Sequence, residues 1–331
     1  MTTPTLTRAL VTSMIEDAIT APSMHNAQPW KFVHRTDTDT IELHGDPSRE
    51  MPREDPDHRA IHLGCGAALF NLRVSAAHHG RKSAPRLLPD PDDPWHLADV
   101  RIQWVRQAAV DDRLAALRPA LRIRHTSRFP FTDEQIPSEI LDGLRAAALL
   151  EGCHLVLPGA WHTDTVMHLV HTSQLFEAAD ASVRAEIASW IRTDAGDESG
   201  GAEGIPSAAL GPRQYDVTSP VRDFDSSRHV TERPSARFEN HPRIALLGTA
   251  EDTPMDWLRA GQAMQRVLLR ATLDGLSTSL TSQPLEWPEL RADARDPAST
   301  AGYVHMVIRL GYGPRGGATP RRPASEVLTF V

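Results

Sequence analysis

Cysteine is almost missing from these 331 residues: Cys65 and Cys153 are the only two, far apart and in different apparent elements. Two thiols cannot build a thiolate metal cage, and a structural disulfide is not expected without other signs of secretion. Long apolar runs are missing too. No stretch approaches the ~20 apolar residues that cross a bilayer, and the opening MTTPTLTRALVTSMIED holds no signal-type run before charge appears. The expectation is a cytoplasmic protein with no membrane partner. A basic surplus is also lacking. The net charge of −8 and a pI near 6.0 argue against a general nucleic-acid binder, which needs a broad basic face. There is no Gly-x-Ser-x-Gly elbow and no Walker loop, so hydrolase and P-loop nucleotidase readings have no local support.

What is present is ordinary for a globular protein: 40% hydrophobic and 24% charged residues. The length suffices for two modest domains or one large one with a real core. Twenty-six prolines against 20 glycines predict stiff connections. Arginine is clustered, with Arg113, Arg118, Arg122, Arg124 and Arg128 in one stretch and Arg315, Arg321 and Arg322 near the C-terminus. Local basic clusters in an acidic chain suit one small anionic ligand better than a polyanion. Arg113 and Arg118 are read as surface ion pairs.

The spacing of apolar residues predicts a helix over 6–20, stopped by Ala21-Pro22, then short strands at 31–34 and 40–43. A helix over 59–79, closed by Gly80, and a strand over 99–105 complete the first half. The second half repeats the order: a helix over 137–150 behind a capping-style Thr132-x-x-Gln135, a strand over 153–157, a long helix over 162–191, a strand over 244–247, a helix over 256–273 and a strand over 304–310. Two helices match without a gap. Gly66/Gly261, Ala68/Ala263, Ala76/Ala271 and Gly80/Gly275 are identical, and Leu69/Met264, Leu72/Val267 and Val74/Leu269 stay apolar. Any two amphipathic helices with a glycine cap share some of this, but the common element order favours duplication. The division expected is 1–110 and 111–331. Within the second part, 193–242 is rich in Gly, Ser, Pro and Asp and poorly patterned, so it reads as a lid, with Ile205, Leu210, Tyr215, Val221 and Phe224 packing part of it down.

The most informative local segment is Ala21-Pro-Ser-Met-His-Asn-Ala-Gln-Pro-Trp30-Lys-Phe32. It is a proline-bracketed turn that presents hydroxyl, imidazole and amide groups between a helix and a strand. Its donors and acceptors could be preset against a planar heterocycle. Equally, it could be a well-satisfied turn with Trp30 filling the core.

The pattern A-P-S-x-x-N-x-Q-P-W resembles the ring-contacting loop of the FMN-dependent nitroreductase family. Arg124-His-Thr-Ser-Arg128-Phe resembles that family's phosphate-binding segment, with Thr126 preserving a hydroxyl. Thr319-Pro-Arg321-Arg322-Pro resembles its basic tail, and Gln283-Pro284-Leu285-Glu286 its Pro-x-Glu turn near the flavin N5 edge, whose contribution is usually backbone. With its tandem repeats, the chain looks most like the Acg-type branch of nitroreductase-like flavoproteins. The resemblance implies an α+β fold: two fused nitroreductase-like repeats forming a pseudo-dimer, with mixed, mainly antiparallel sheets flanked by helices. It implies FMN at the junction. Pro22, Ser23, Met24, His25, Asn26 and Gln28 would face the ring, Arg124, His125, Thr126, Arg128, Arg321 and Arg322 would hold ribityl and phosphate, and Gln283, Pro284 and Glu286 would line the opposite edge. Thr7-Arg8-Ala9 lacks the basic signature and Gly152-Cys153-His154 the A-P-S loop, so each half keeps one contribution and one flavin per chain is expected.

The implied chemistry passes electrons from NAD(P)H through FMN to a small electron-poor acceptor such as a nitroaromatic or quinone. It requires no catalytic side chain, and His25 is read as a ring hydrogen-bond partner rather than a proton donor. The rival is an FMN storage or sequestering protein beneath the lid; a flavin-free structural relative is a third reading. Whether the chain stays a monomeric pseudo-dimer or forms a homodimer is open. Gly311-x-Gly-x-x-Gly316 resembles a dinucleotide fingerprint, but Pro314, Pro320 and Pro323 forbid the required helix. His58/His62 and His168/His171 have zinc-like spacing without a clear third ligand, so no metal is expected.

Overall fold

Thr7 starts the first helix, α1 (Arg8–Ala18), by accepting a hydrogen bond from the Leu10 amide at 3.2 Å. Its apolar face, Val11, Met14, Ile15 and Ala18, is fully buried. The computed structural model describes residues 6–106, 109–192, 201–215, 221–225, 230, 233–299 and 301–331. The other main helices are α2 (Arg59–His78), α3 (Ser138–Leu149), α4 (Ala160–Ala179), α5 (Ala181–Ser189) and α6 (Pro254–Leu273). The main strands are β1 (Trp30–Arg35), β2 (Thr40–Gly45), β3 (Arg81–Leu87), β4 (His96–Trp104), β5 (His154–Val156), β6 (Ile244–Thr249), β7 (Ser277–Thr281), β8 (Tyr303–Gly311) and β9 (Leu328–Phe330).

These strands form two sheets with the same internal order. The first runs β9-β1-β2-β4-β3 and the second β7-β8-β6-β5. In each, two strands precede the long helix and two follow it, and the strand made last in the set lies beside the second. All pairings are antiparallel except β1 with β9, which are parallel (Phe32 opposite Leu328). The architecture is thus α+β with mixed, mainly antiparallel sheets. The C-terminal strand sits on the sheet made by the first half, and one hydrophobic core runs through α1, β1, β2, α2, β4, α3, α6 and β8.

Helices α2 and α6 cross at Gly66 and Gly261, the very positions paired in the internal match. A Cβ on Gly66 would strike the Leu258 carbonyl oxygen and come within 3.1 Å of the Gly261 Cα; a Cβ on Gly261 would strike the Leu63 carbonyl oxygen. Only glycine allows the two backbones this close. Each helix is followed by a glycine at positive φ, Gly80 at 68° and Gly275 at 82°. Among the described helices, α2 alone is long and apolar enough to cross a membrane, and 89% of that window is buried against its neighbours.

Some local expectations differ from the structure. The long helix over 162–191 is two helices: Asp180 breaks it and caps the second by accepting from the Ser182 and Val183 amides. Helix α3 has no side-chain cap; Thr132 Oγ1 accepts instead from the Glu134 amide at 3.4 Å. Strands β3, β7 and β9 have no counterpart among the strands expected from the sequence. Of the 193–242 segment, 193–200, 216–220, 226–229 and 231–232 lie outside the described residues. In the rest, Ile205, Ala209 and Leu210 cluster with Ile191, Phe224 and Val230, and Val221 is buried, whereas Tyr215 is 70% exposed.

Candidate functional site

The turn after α1 is held in a costly conformation. His25, Asn26 and Gln28 all have φ between 47° and 58°, which side chains other than glycine rarely adopt. The surroundings fix it there. Ser23 Oγ accepts from the Gln28 amide at 2.9 Å. Asn26 Nδ2 donates to the carbonyls of Ala202, Gly204 and Pro320 at 3.0–3.2 Å, and Gln28 Nε2 donates to the Ala202 carbonyl at 2.8 Å. Gln28 Oε1 accepts from the Arg322 amide at 2.8 Å. The two amide side chains therefore tie the N-terminal turn to both the 201–204 segment and the C-terminal tail.

Two adjoining cavities open beside this turn. The first, of about 830 Å³, is lined by Pro22, Ser23, Met24, His25, Thr126, Arg128, Gln283 and Glu286 of the expected set. The second, of about 460 Å³, takes Asn26, Arg124, His125 and Arg321 and shares Pro22, Ser23, His25, Thr126 and Arg128 with the first. Shared walls make the pair one continuous cleft. Three expected residues do not line it. Gln28 is buried behind the turn, Pro284 is buried beneath its own short helix, and Arg322 turns its guanidinium to Glu326 at 3.3 Å and Glu203 at 3.6 Å.

The segment 124–128 is seated by Ser127, whose amide donates to the Thr278 carbonyl at 2.8 Å and whose hydroxyl donates to the Pro314 carbonyl at 2.7 Å. This lays Thr126 beside β7. Arg124 is 2% exposed, yet Nε and Nη1 have no hydrogen-bond partner, and Nη2 reaches only the Thr20 carbonyl at 3.4 Å. Burial, with the nearby Arg321 charge, lowers its pKa to about 9. Burial also lowers Arg321, to about 10, and Arg128, where Arg222 and Arg233 add to it. Arg321 spends its donors on the Ile19 carbonyl, Asn26 Oδ1 and Thr319; Arg128 donates to the Ala209 carbonyl at 2.8 Å and lies 4.8 Å over the Phe224 ring. Among the described residues no carboxylate lines this cavity. Buried cations without counter-charge are expensive, so this end of the cleft is built for an anion.

The other end has the opposite balance. Glu54, Glu177 and Glu286 converge on Arg222 at 2.5, 2.8 and 3.3 Å, and His25 Nε2 lies 2.7 Å from the second oxygen of Glu54. Burial alone would raise the Glu54 carboxyl, but His25 and Arg222 outweigh it and hold it well below the usual range. Burial raises Glu286, Arg222 opposes, and the charges of Glu54 and Glu177 add to burial; the net shift is strongly upward. Arg59, the first residue of α2, donates to the Leu285 and His305 carbonyls at 2.8 and 3.2 Å, and Asp55 caps α2 through the Ala60 and Ile61 amides.

Sequence reasoning missed Glu54, Asp55, Arg59, Arg222 and Phe224, as well as the apolar wall of Leu63, Met264, Leu280 and Met306. An acid ahead of a helix (Asp55-Pro56-Asp57) was the one local signal, and it marks a cap rather than a site. Arg118, read as a surface ion pair, does pair with the buried Asp17, at 3.0 Å. Among the described residues the one metal-like cluster is Glu42, His44 and His96. There Glu42 is paired with Arg35 and His96 with Asp99.

No family model matches the chain. Relatives cover it almost end to end. "Putative NAD(P)H nitroreductase Rv3131" of Mycobacterium tuberculosis is 29% identical over 325 residues, 97% of this chain and 91% of that protein. "Putative NAD(P)H nitroreductase acg" of the same organism is 29% identical over 331 residues, 98% and 96% respectively. Among solved structures, the FMN-dependent nitroreductase NfnB from Mycobacterium smegmatis in complex with NADPH aligns with 67% of this chain and 100% of its own, at 17% identity and a TM-score of 0.40. A nitroreductase with bound FMN from Bacteroides fragilis aligns with 62% and 92%, at 13% identity and a TM-score of 0.35. The resemblance read from the sequence is borne out by the two relatives: over nearly its whole length the chain is similar to proteins named putative NAD(P)H nitroreductases, acg among them.

Proposed function

We propose that the chain is an FMN-dependent NAD(P)H oxidoreductase of the nitroreductase type, its 1–110 and 111–331 parts each supplying one side of a single flavin site. The observation that carries this reading is Arg124, a buried guanidinium with two unpartnered nitrogens beside Arg128 and Arg321 in a cavity that, among the described residues, no carboxylate lines. A phosphate supplies the charge and the acceptors they lack. Arg124, Arg128, Arg321, His125 and Thr126 would hold phosphate and ribityl. Pro22, Ser23, Met24 and His25 would face the ring in the adjoining cavity, with Gln283 and Glu286 across from them. FMN held there would supply electron-transfer chemistry between NAD(P)H and an electron-poor acceptor such as a quinone or nitroaromatic. The protein's own part is to hold and orient the ring, to exclude water with Leu63, Met264, Leu280 and Met306, and to set the charge at each end.

One observation favours a storage role. Phe224, from the 193–242 segment expected as a lid, lines the ring cavity and meets the His25 ring edge-on at 5.3 Å. An anaerobic titration of the FMN-loaded protein with NADPH and then NADH separates the two readings. Rapid loss of the oxidised-flavin absorbance is expected. Colour that persists until dithionite is added would overturn turnover in favour of storage, and a purified protein from which mass spectrometry finds no FMN would overturn both.

A further inference from the structure

Three carboxylates share one arginine at the ring end of the cleft, and this imbalance has chemical content. Arg222 supplies one fixed positive charge to Glu54, Glu177 and Glu286. His25 serves only the far oxygen of Glu54, and Arg59 faces the group from α2 with its donors spent on backbone carbonyls. Three carboxylates this close, out of water and with one adjacent guanidinium, retain a proton, because full ionisation would leave buried like charges uncompensated. The proton's place follows from the bonding. Glu54 is doubly engaged, by Arg222 on one oxygen and His25 on the other. Glu177 receives Arg222 and the Gln283 amide on Oε1. Glu286 has the longest contact to Arg222, and both its hydrogen bonds, from Ser282 Oγ at 2.7 Å and Arg222 at 3.3 Å, fall on Oε1. Among the described residues Oε2 has no partner, and Glu286 lines the cavity.

We propose that Glu286 is the acid that protonates the acceptor as it is reduced, and that Glu54, Glu177 and Arg222 are positioning residues that keep its proton in place. The inference rests on the oxidoreductase reading above. NAD(P)H, through the flavin, supplies two electrons with one hydrogen as hydride. A quinone-class acceptor that takes them is left with negative charge on an oxygen. The Glu286 O–H bond breaks, an O–H bond forms on that oxygen, and the carboxylate left behind recovers a proton from water once the product leaves. The arrangement differs from the backbone role that the resemblance implies for the Pro-x-Glu turn. It also explains why so polar a group stands beside Leu280 and Met306.

The test uses Glu286→Gln, which keeps the shape and removes the exchangeable acid. Flavin content reports whether the variant still folds around its site, and the readout is the rate of reoxidation relative to the rate of flavin reduction by NADPH, because only reoxidation draws on this proton. Reoxidation by a benzoquinone should slow about 100-fold, and the decline of the wild-type rate at alkaline pH should vanish. Independently of turnover, 13C NMR of protein labelled at the glutamate carboxyl should show one resonance titrating far above the ordinary glutamate range, absent in the variant. Unchanged reoxidation with the same pH profile, or a Glu286 carboxyl that titrates in the ordinary range, overturns the assignment while leaving flavin binding intact. A wild-type protein that carries no flavin overturns the functional reading instead, and the NMR titration still reports whether Glu286 holds the proton.

Discussion

Arg124 shows how a single side chain can be a cost in one state and an asset in another. Its guanidinium is out of water, two of its nitrogens bond to nothing, and the nearest charge is another arginine. An uncompensated buried donor costs about 1–3 kcal/mol, and more when it is charged. A bound phosphate removes that cost and adds charge-assisted hydrogen bonds. Arg124→Leu should therefore raise the melting temperature of the flavin-free protein while weakening FMN binding by roughly 10–100-fold, one interaction of about 1.5–3 kcal/mol. Thermal unfolding with and without FMN checks both signs together. A variant that loses stability without flavin would mean that Arg124 is a structural residue. Arg322 offers the contrast. It is adjacent to Arg321, but its Nε lies 3.3 Å from Glu326 and 3.6 Å from Glu203, carboxylates outside the cleft that give it the counter-charge Arg124 lacks. Neighbouring arginines in a sequence look alike; of the two carboxylates beside Arg322, Glu326 is local and Glu203 comes from the 201–204 segment, which only the fold brings near.

At the scale of elements, the helix pair carries the molecule. Its members are legible because apolar spacing over twenty residues and a closing glycine are local signals. The shared positions Gly66 and Gly261 were legible as identities, but not as a crossing point. Strand β3 was not legible: Arg81-Lys-Ser-Ala-Pro-Arg has neither alternation nor β-branched residues, and its pairing with β4 on the sheet edge tolerates Pro85. The acidic end of the cleft was illegible for a related reason. Glu54 and Arg222 are 168 positions apart, both on irregular chain, and nothing periodic announces either. The basic end was readable because Arg124, Thr126 and Arg128 lie within five residues. Two glycines separate packing from propensity. Gly261→Ala would push a methyl into the Leu63 carbonyl and force α2 and α6 apart, at a cost of about 1–3 kcal/mol. It should also loosen flavin, since Leu63 and Met264 line the cavity from those helices. Gly143→Ala, inside α3 with nothing within 4 Å, should instead add about 0.5–1 kcal/mol. Denaturant titration of both variants is the check; equal effects would mean that the crossing is not tight in solution.

The whole chain raises a question of number. Two sheets of the same order, joined by matched helices, present two places related by the crossing of α2 and α6, and either could in principle hold a cofactor. On the function proposed above, only one is equipped among the described residues. At the first, the 21–30 turn from one half meets Arg124, Arg128 and Arg321 from the other. At the second, Thr7 is spent on capping α1, and the exposed Arg8 lies over the Phe330 ring at 4.8 Å. Gly152 turns at positive φ where a Pro-Ser loop would be needed, and Cys153 is buried in the core. The buried Arg266, which reaches the chain just before Gly152, is neutralised: it pairs with Glu151 at 2.5 Å. A phosphate there would meet a paired charge and gain little. The tail reinforces the asymmetry, because Arg321 and β9 belong to one continuous segment, and the strand that docks on β1 also delivers the arginine to the cleft. Saturation with FMN, read from flavin absorbance against protein concentration, should therefore end at one flavin per chain. A second equivalent bound with comparable affinity would mean that Arg266 exchanges its carboxylate partner for phosphate, and the asymmetry argued here would fail.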